Sequence, residues 1–320
     1  MHRQKDKNCL TFQIMTVLSK MSDVPGYEAQ RQEMADRLIG GSMRRSYNSE
    51  IDIDWDAPQD PDLFYLPPEG VSLYGTPIWE QMTHRERVEL SRQEAANLLS
   101  RGVWFENTLN QGLLRAMLYQ DPTSRNVHYA LTEIGDETRH MIMFGRTISA
   151  IGARPYRLSK LQAFSVQRLP SLYKGLLLWG AALCGEELLD DLQRRFAHHP
   201  QLQPIMAQVF RIHIAEEARH IRYAREGVLR RLQHSTWWER RLAKDLNGIA
   251  AFVIRRLMYD KEVYRRCGLD VKEAMRQSRA NQQVGAIRQE SFRSLYQFME
   301  DNGLMSWISR RFWRYYGFLE

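Results

Sequence analysis

Long hydrophobic runs are missing from this 320-residue chain. The longest nearly unbroken apolar stretch, Leu176 to Gly185, falls far short of the roughly 18 to 20 residues that cross a bilayer. No membrane span is therefore expected. Cysteine is scarce and odd in number. Cys9, Cys184 and Cys267 stand far apart, which excludes a disulfide framework and a cysteine-rich metal site and fits a reducing cytoplasm. No Gly-x-Gly-x-x-Gly loop for a flavin or nicotinamide is present. Any electrons for redox chemistry must then come from a separate donor. At the N-terminus, basic residues precede Leu10 to Leu18, but Gln13 interrupts that run and no small-residue cleavage site follows. A signal peptide is not expected, and Met21 is as readable a start as Met1.

What the chain does hold is enough apolar material, 43% of its residues, for one large core. Its net charge of +7 is weighted towards the C-terminal part. Arg230, Arg231, Arg240, Arg241, Arg255 and Arg256 precede a tail, Trp307 to Leu319, in which arginine alternates with aromatics. Such a mixture suits nucleic acid or a membrane surface. Without a nucleic-acid motif, the expectation is plainer: the arginines line wet helix faces, and the aromatics dock on the core or on a second copy of the chain, as in a homodimer.

Residues 1–45 read as a weakly amphipathic helical lead-in. From Ser46 to Pro77, five prolines set among acids mark an extended arm, and Trp55, Phe64, Tyr65 and Leu66 require it to lie across the rest. The chain thus divides into a lead-in and arm over 1–82 and a helical domain over 83–320. Thr83 with Glu86 forms a capping-box signature that opens a helix running to about Tyr119. Thr123 or Ser124 caps a second helix ending near Gly152. A third spans about Leu172 to Ala197, and Pro204 opens a fourth to about Leu232. Ser235 or Thr236 begins a further helix to about Tyr264, and more helices follow. Strand alternation is lacking, so the fold class is all-α.

Two segments share the pattern Glu-x-x-His: Glu137-Thr-Arg-His140 and Glu217-Ala-Arg-His220. Each has another glutamate 31 positions upstream, Glu106 and Glu186. Asp121-Pro122 lies midway in the first pair and His199-Pro200-Gln201 close to midway in the second. In an antiparallel hairpin, residues equidistant from the turn sit level, here roughly 23 Å from it at 1.5 Å per residue. Glu and His three apart share one helix face. Four carboxylates and two imidazoles on four helices are the ligand set of a di-iron or di-manganese centre. Without cations such buried acids would repel one another strongly.

Glu187 competes with Glu186 for one position. The more apolar surroundings of Glu186 and its 31-residue offset favour Glu186, leaving Glu187 a supporting role. His213 stands four residues before Glu217 and seven before His220, on the same stripe, and is expected to be a third imidazole ligand. Asp136 and Glu216, directly before the motif glutamates, are expected to hold the ligand histidines through their outer ring N–H, each across to the other hairpin. Oxygen and imidazole donors without thiolate suit iron or manganese. Trp104, Phe105 and Trp179 are candidate walls of an apolar pocket.

Asp136-Glu137-Thr-Arg-His140 and Glu216-Glu217-Ala-Arg-His220 resemble the Asp/Glu-Glu-x-Arg-His motifs of ferritin-like di-iron oxygenases. The spacing His213-x3-Glu217-x2-His220 resembles one branch, the AurF-type arylamine N-oxygenases, or p-aminobenzoate N-oxygenase family. The match spans roughly residues 75 to 235. It implies a ferritin-like four-helix bundle with added N- and C-terminal helices. It also implies two iron ions per chain, manganese being the alternative, with O₂ as co-substrate. Its ligands would be Glu106, Glu137, His140, Glu186, His213, Glu217 and His220. The implied activity is N-oxygenation of a small aromatic amine to a hydroxylamine or nitro product, fed by a ferredoxin, a reductase or peroxide. Two alternatives stand beside it: a C–H hydroxylase or desaturase for a carrier-bound or lipid-like substrate, and a non-catalytic ferritin-like iron-handling protein. The arm and the aromatic tail match no family motif, so the substrate's identity is not set.

Overall fold

Side-chain caps open two of the four long bundle helices in the computed structural model, which describes residues 27–160, 162–164, 167–168, 174–246 and 259–319. Outside these lie Cys9, the alternative starts Met1 and Met21, Leu10 to Leu18, Pro170, Leu172, Arg255 and Arg256. Helix α1 spans Tyr27–Arg44 and belongs to the expected lead-in. Thr83 and Glu86 complete the capping box, the Thr83 N–H donating to the Glu86 carboxylate at 2.8 Å, and open α2, His84–Met117. The Ser124 hydroxyl accepts the Val127 N–H at the start of α3, Arg125–Ala150. Helix α4 covers Leu176–Phe196. Helix α5, Pro204–His234, begins on its proline, where the missing N–H leaves no intrahelical bond unmade.

These four helices form two hairpins, α2 on α3 and α4 on α5, joined through α3 with α5 and α2 with α4. Asp121-Pro122 and His199-Pro200 fall in the two turns. Helix α1 closes over α3 and α5, placing Met34, Ala35 and Leu38 against Tyr129, Ala130 and Tyr223.

The arm crosses the bundle as its apolar residues require. Phe64, Tyr65 and Leu66 are buried in the same core as Leu90, Phe144 and Phe210 of the bundle helices. Phe64 is pinned to the second turn: its N–H donates to Gln201 O and its carbonyl accepts from Gln203 N–H, both at 2.8 Å. This is an isolated bridge, and no strand occurs among the described residues. Trp55 is half-buried beneath the Arg146 guanidinium, 4.4 Å from the ring centre. Short helical turns at Ser49–Asp52, Pro68–Gly70 and Pro77–Gln81 interrupt the extended run.

Past α5 the sequence reading needs two corrections. The helix expected to reach Tyr264 is described over 237–246, and 247–258 lie outside the described residues. Tyr259 and Asp260 are not helical. Asp260 instead caps a new helix, α6, Lys261–Arg266, by accepting the Glu262 N–H. A short Asp side chain competes for backbone donors and so favours a fresh start over helix continuation. Helices α7, Val271–Ala280, α8, Gln282–Asp301, and α9, Trp307–Tyr315, follow. Of the tail aromatics, Trp313 and Phe318 enter a second core with Phe292, Leu295 and Leu183. Trp307, Phe312 and Tyr315 do not dock on the core of this chain; they are exposed on it.

Candidate metal centre

The hairpins bring seven side chains together at one level. Glu106 from α2, Glu137 and His140 from α3, Glu186 from α4, and His213, Glu217 and His220 from α5 are each 0–1% exposed. Their donor atoms form three overlapping groups whose members lie within 4.8 Å of one another. These are Glu106 with His140, His213 and Glu217; Glu137 with Glu217 and His220; and Glu106 with Glu137 and Glu186. Glu217 belongs to both histidine groups, and Glu106 and Glu137 to two groups each. A carboxylate has two oxygens, so shared acids are what two neighbouring cations need.

Both motif histidines turn Nδ1 inward. His140 Nδ1 lies 2.8 Å from Glu137 Oε2 and 3.2 Å from Glu217 Oε1. His220 Nδ1 lies 2.6 Å from Glu137 Oε1 and 3.2 Å from Glu217 Oε2. Their Nε2 atoms face carboxylates of the opposite hairpin, His140 reaching Glu216 at 2.8 Å and His220 reaching Asp136 at 3.3 Å. A carboxylate behind one ring nitrogen fixes the ring and leaves the other nitrogen as a donor to metal. Arg139 pairs with Asp136 and lies 3.7 Å from Glu216. Arg219 lies 3.3 Å from Asp136 and 3.9 Å from Glu216. The Tyr47 backbone N–H donates to Glu216 at 3.3 Å, so the arm also touches this layer.

The electrostatics divide the acids. Burial, then the neighbouring carboxylates, push Glu106 and Glu186 well above the ordinary glutamate value. Neither oxygen of either side chain is met by a hydrogen-bond donor. Burial also works against ionisation of Glu137 and Glu217, yet the surrounding histidines outweigh it and hold both below the ordinary value. Burial opposes charge on His140 and His220, but the carboxylates around them win and raise both. His213 differs. Its Nε2 lies 3.3 Å from Glu217 and 3.8 Å from Glu106, and neither ring nitrogen has a hydrogen bond. Burial lowers it to about 4, so it is the neutral imidazole a metal requires.

Each orphaned buried acid costs about 1–3 kcal/mol or more. Two divalent cations would satisfy those oxygens and balance the four carboxylates. The donor set, oxygen and imidazole without sulfur, fits iron or manganese.

Glu187 takes no part in this cluster. Its carboxylate forms a bidentate pair with Arg225 at 2.6 and 2.8 Å, and Arg225 also donates to Ser294 on α8. Trp104 lines no inner pocket. It is 37% exposed, because two positions on a helix are about 200° apart and Glu106 occupies the inner face. Trp179 packs edge-on against Tyr223. Phe105 is half-buried against Gly185, the residue before Glu186, where a Cβ would come within 1.8 Å of its ring. Two acids escape the motif reading: Glu133, 2% exposed, and Asp190, 8% exposed. Their spacing from Glu137 and Glu186, one turn in each case, is the signal that finds them. Asp190 pairs with Arg194 at 2.6 Å, while burial drives Glu133 well above the ordinary value.

Similar proteins are known by sequence and by structure. An uncharacterized protein of Mycobacterium bovis and two of Mycobacterium tuberculosis are 34% identical over 222 residues, which is 67% of this chain. The matched stretch spans 65% of the length of these relatives. Two variants of an R2-like ligand-binding oxidase, solved with an aerobically reconstituted Mn/Fe cofactor, align over 92% of this chain. They are 14% and 15% identical, with TM-scores of 0.40 and 0.38, and the alignments cover 92% and 91% of those chains. The model of the family described as P-aminobenzoate N-oxygenase AurF matches residues 28–303. The match takes in α1, the bundle with all seven clustered side chains, and the helices up to α8; by it the chain belongs to the AurF family.

Proposed function

We propose that the protein is a di-iron oxygenase that oxidises a small primary aromatic amine at nitrogen, giving a hydroxylamine or nitro product. The observation that carries this reading is His213. It adds a third buried imidazole to the two Glu-x-x-His hairpins, in the same group as Glu106, His140 and Glu217. Glu106, Glu137, His140, Glu186, His213, Glu217 and His220 would hold the two ions, which supply O₂ activation. The rest is work for the chain's own residues. Asp136 and Glu216 hold the two outer ring nitrogens, while Arg139 and Arg219 lie against both carboxylates and keep them in place. Phe105 and the apolar faces of α2 and α4 keep water from the inner side of the cluster. Reducing equivalents come from a separate ferredoxin or reductase, or peroxide takes the place of O₂ and reductant together.

The test is product analysis. Iron-loaded protein is given O₂ and reductant, or peroxide, with a panel of aminobenzoates and other arylamines. Hydroxylamine or nitro products support the proposal. Hydroxylation of a lipid-like or carrier-bound C–H substrate, with no oxidised amine from any arylamine, refutes N-oxygenation while leaving the metal centre intact.

A further inference from the structure

The outward face of the α2–α3 hairpin takes no part in the metal centre. On α3, Leu131, Gly135, Thr138 and Ile142 stand at i, i+4, i+7 and i+11, a single stripe on the side away from the buried Glu137 and His140. Leu131 and Ile142 are 49% and 54% exposed. Alongside, on α2, Trp104, Thr108 and Gln111 keep the same spacing on the side away from Glu106. None of these seven residues is charged. Their polar groups are already met inside their own helices. The Thr138 hydroxyl donates to Ile134 O and the Thr108 hydroxyl to Trp104 O, both at 2.8 Å, and the Gln111 amide donates to Asn107 at 2.6 Å. Covering the face therefore sacrifices few hydrogen bonds to water. Gly135 is a second, independent observation. A Cβ there would meet only the tip of its own Arg139, at 3.8 Å. Nothing in this chain requires glycine at that position, and glycine weakens a helix relative to alanine. The surface at Gly135 is shaped for a close approach from outside.

Symmetry and charge identify what approaches. The α3 stripe reads large, small, small, large about a midpoint between Asp136 and Glu137. A twofold contact sets the same patch of two copies together. An axis at that midpoint brings Leu131 of one copy level with Ile142 of the other, and puts Gly135 and Thr138 of both beside the axis, where small side chains let two helices meet closely. A partner of another sequence has no reason to match this mirror order. Each chain also carries a net charge of +7, so two copies repel wherever basic faces meet and join best where charge is absent. The available area suffices. Helix α3 has 26 residues and runs about 39 Å, and two helices each about 10 Å across offer roughly 800 Å², the surface each partner of a standard interface gives up. We propose that the α2–α3 hairpin is a homodimer interface, with two α3 helices crossing antiparallel through Leu131, Gly135, Thr138 and Ile142 and Trp104 packing at the flank.

Size-exclusion chromatography with light scattering on the full, iron-loaded chain tests this, and should give twice the chain mass. The variant L131E/I142E should run at one chain mass, its dissociation constant raised at least about hundredfold because the new carboxylates face one another across the axis. G135L places a better helix former at an exposed position and should also dissociate the dimer. Circular dichroism and iron content, unchanged in both variants, show that folding is not the cause. A short bismaleimide should link T138C, beside the axis, into a covalent dimer far more readily than wild type or S149C, which lies near the end of α3. A wild-type monomer well above micromolar concentration would overturn the proposal and leave the face to a different partner. So would a dimer that survives both L131E/I142E and G135L, or one in which T138C links no better than S149C.

Discussion

At the scale of single residues, the cluster carries opposite demands for stability and for metal. Glu106, Glu186 and His213 are buried with no hydrogen-bond partner on their carboxylate oxygens and ring nitrogens, an arrangement that destabilises the metal-free fold. Replacing Glu106 or Glu186 with leucine should therefore raise the metal-free melting midpoint, by about 1–3 kcal/mol of unfolding free energy, and abolish the midpoint rise on adding iron. Thermal melts with and without iron check this, and a variant still stabilised by iron would remove that residue from the ligand set. Protons give a second test. His140 and His220 are raised, so their stabilising contribution to the metal-free protein is complete below their unfolded value near 6.5. It is lost as pH climbs through their higher folded values. Glu106 and Glu186 are also raised, so the fold loses stability above their ordinary 4.5 as well. The metal-free protein should thus become less stable as pH rises from 6 to 8. Metal binding displaces these protons, so iron affinity should rise over the same range, with proton release visible by calorimetry in buffers of different ionisation enthalpy. Proton uptake on binding would contradict this assignment.

At the scale of helices, the sequence made the site legible because its signals are periodic. Two Glu-x-x-His motifs, two equal offsets and two proline turns place four helices and the height at which they meet. The close approach of α2 and α4 is a different matter, since it rests on Phe105 fitting over Gly185, a contact between distant residues that no spacing encodes. Gly185→Ala places a methyl inside that ring. The helices must part, costing about 1–3 kcal/mol or more, and the iron content should fall with the melting midpoint. Phe105→Ala in the same chain should restore part of both; failure of the second substitution to rescue iron content would show that helix spacing is not the cause. The pairing of Glu187 with Arg225 was hidden for the same reason, since it depends on which neighbour the helix meets; the outward turn of Trp104 follows instead from its two-residue spacing from Glu106. The restart at Asp260 was obscured by an apolar, helix-compatible sequence on its N-terminal side.

At the scale of the whole molecule, the bundle serves as a rigid frame for one buried, charge-dense centre. The arm and added helices seal its ends. Ser72 illustrates the sealing: its backbone N–H and hydroxyl both donate to the half-buried Glu94, and its oxygen lies 2.8 Å from the Tyr264 hydroxyl. Arm, bundle and C-terminal part are thereby tied at one point. The fold class followed from composition and periodicity, whereas the face that α9 leaves open did not, since arginine and aromatics read alike whether docked or exposed. The central claim, two metal ions held by seven side chains, is tested most directly by elemental analysis of iron-replete protein after removal of free metal. Two irons per chain is the expected result, falling when Glu137 or Glu217 is replaced by alanine. One metal or fewer per chain, or zinc alone, would contradict it.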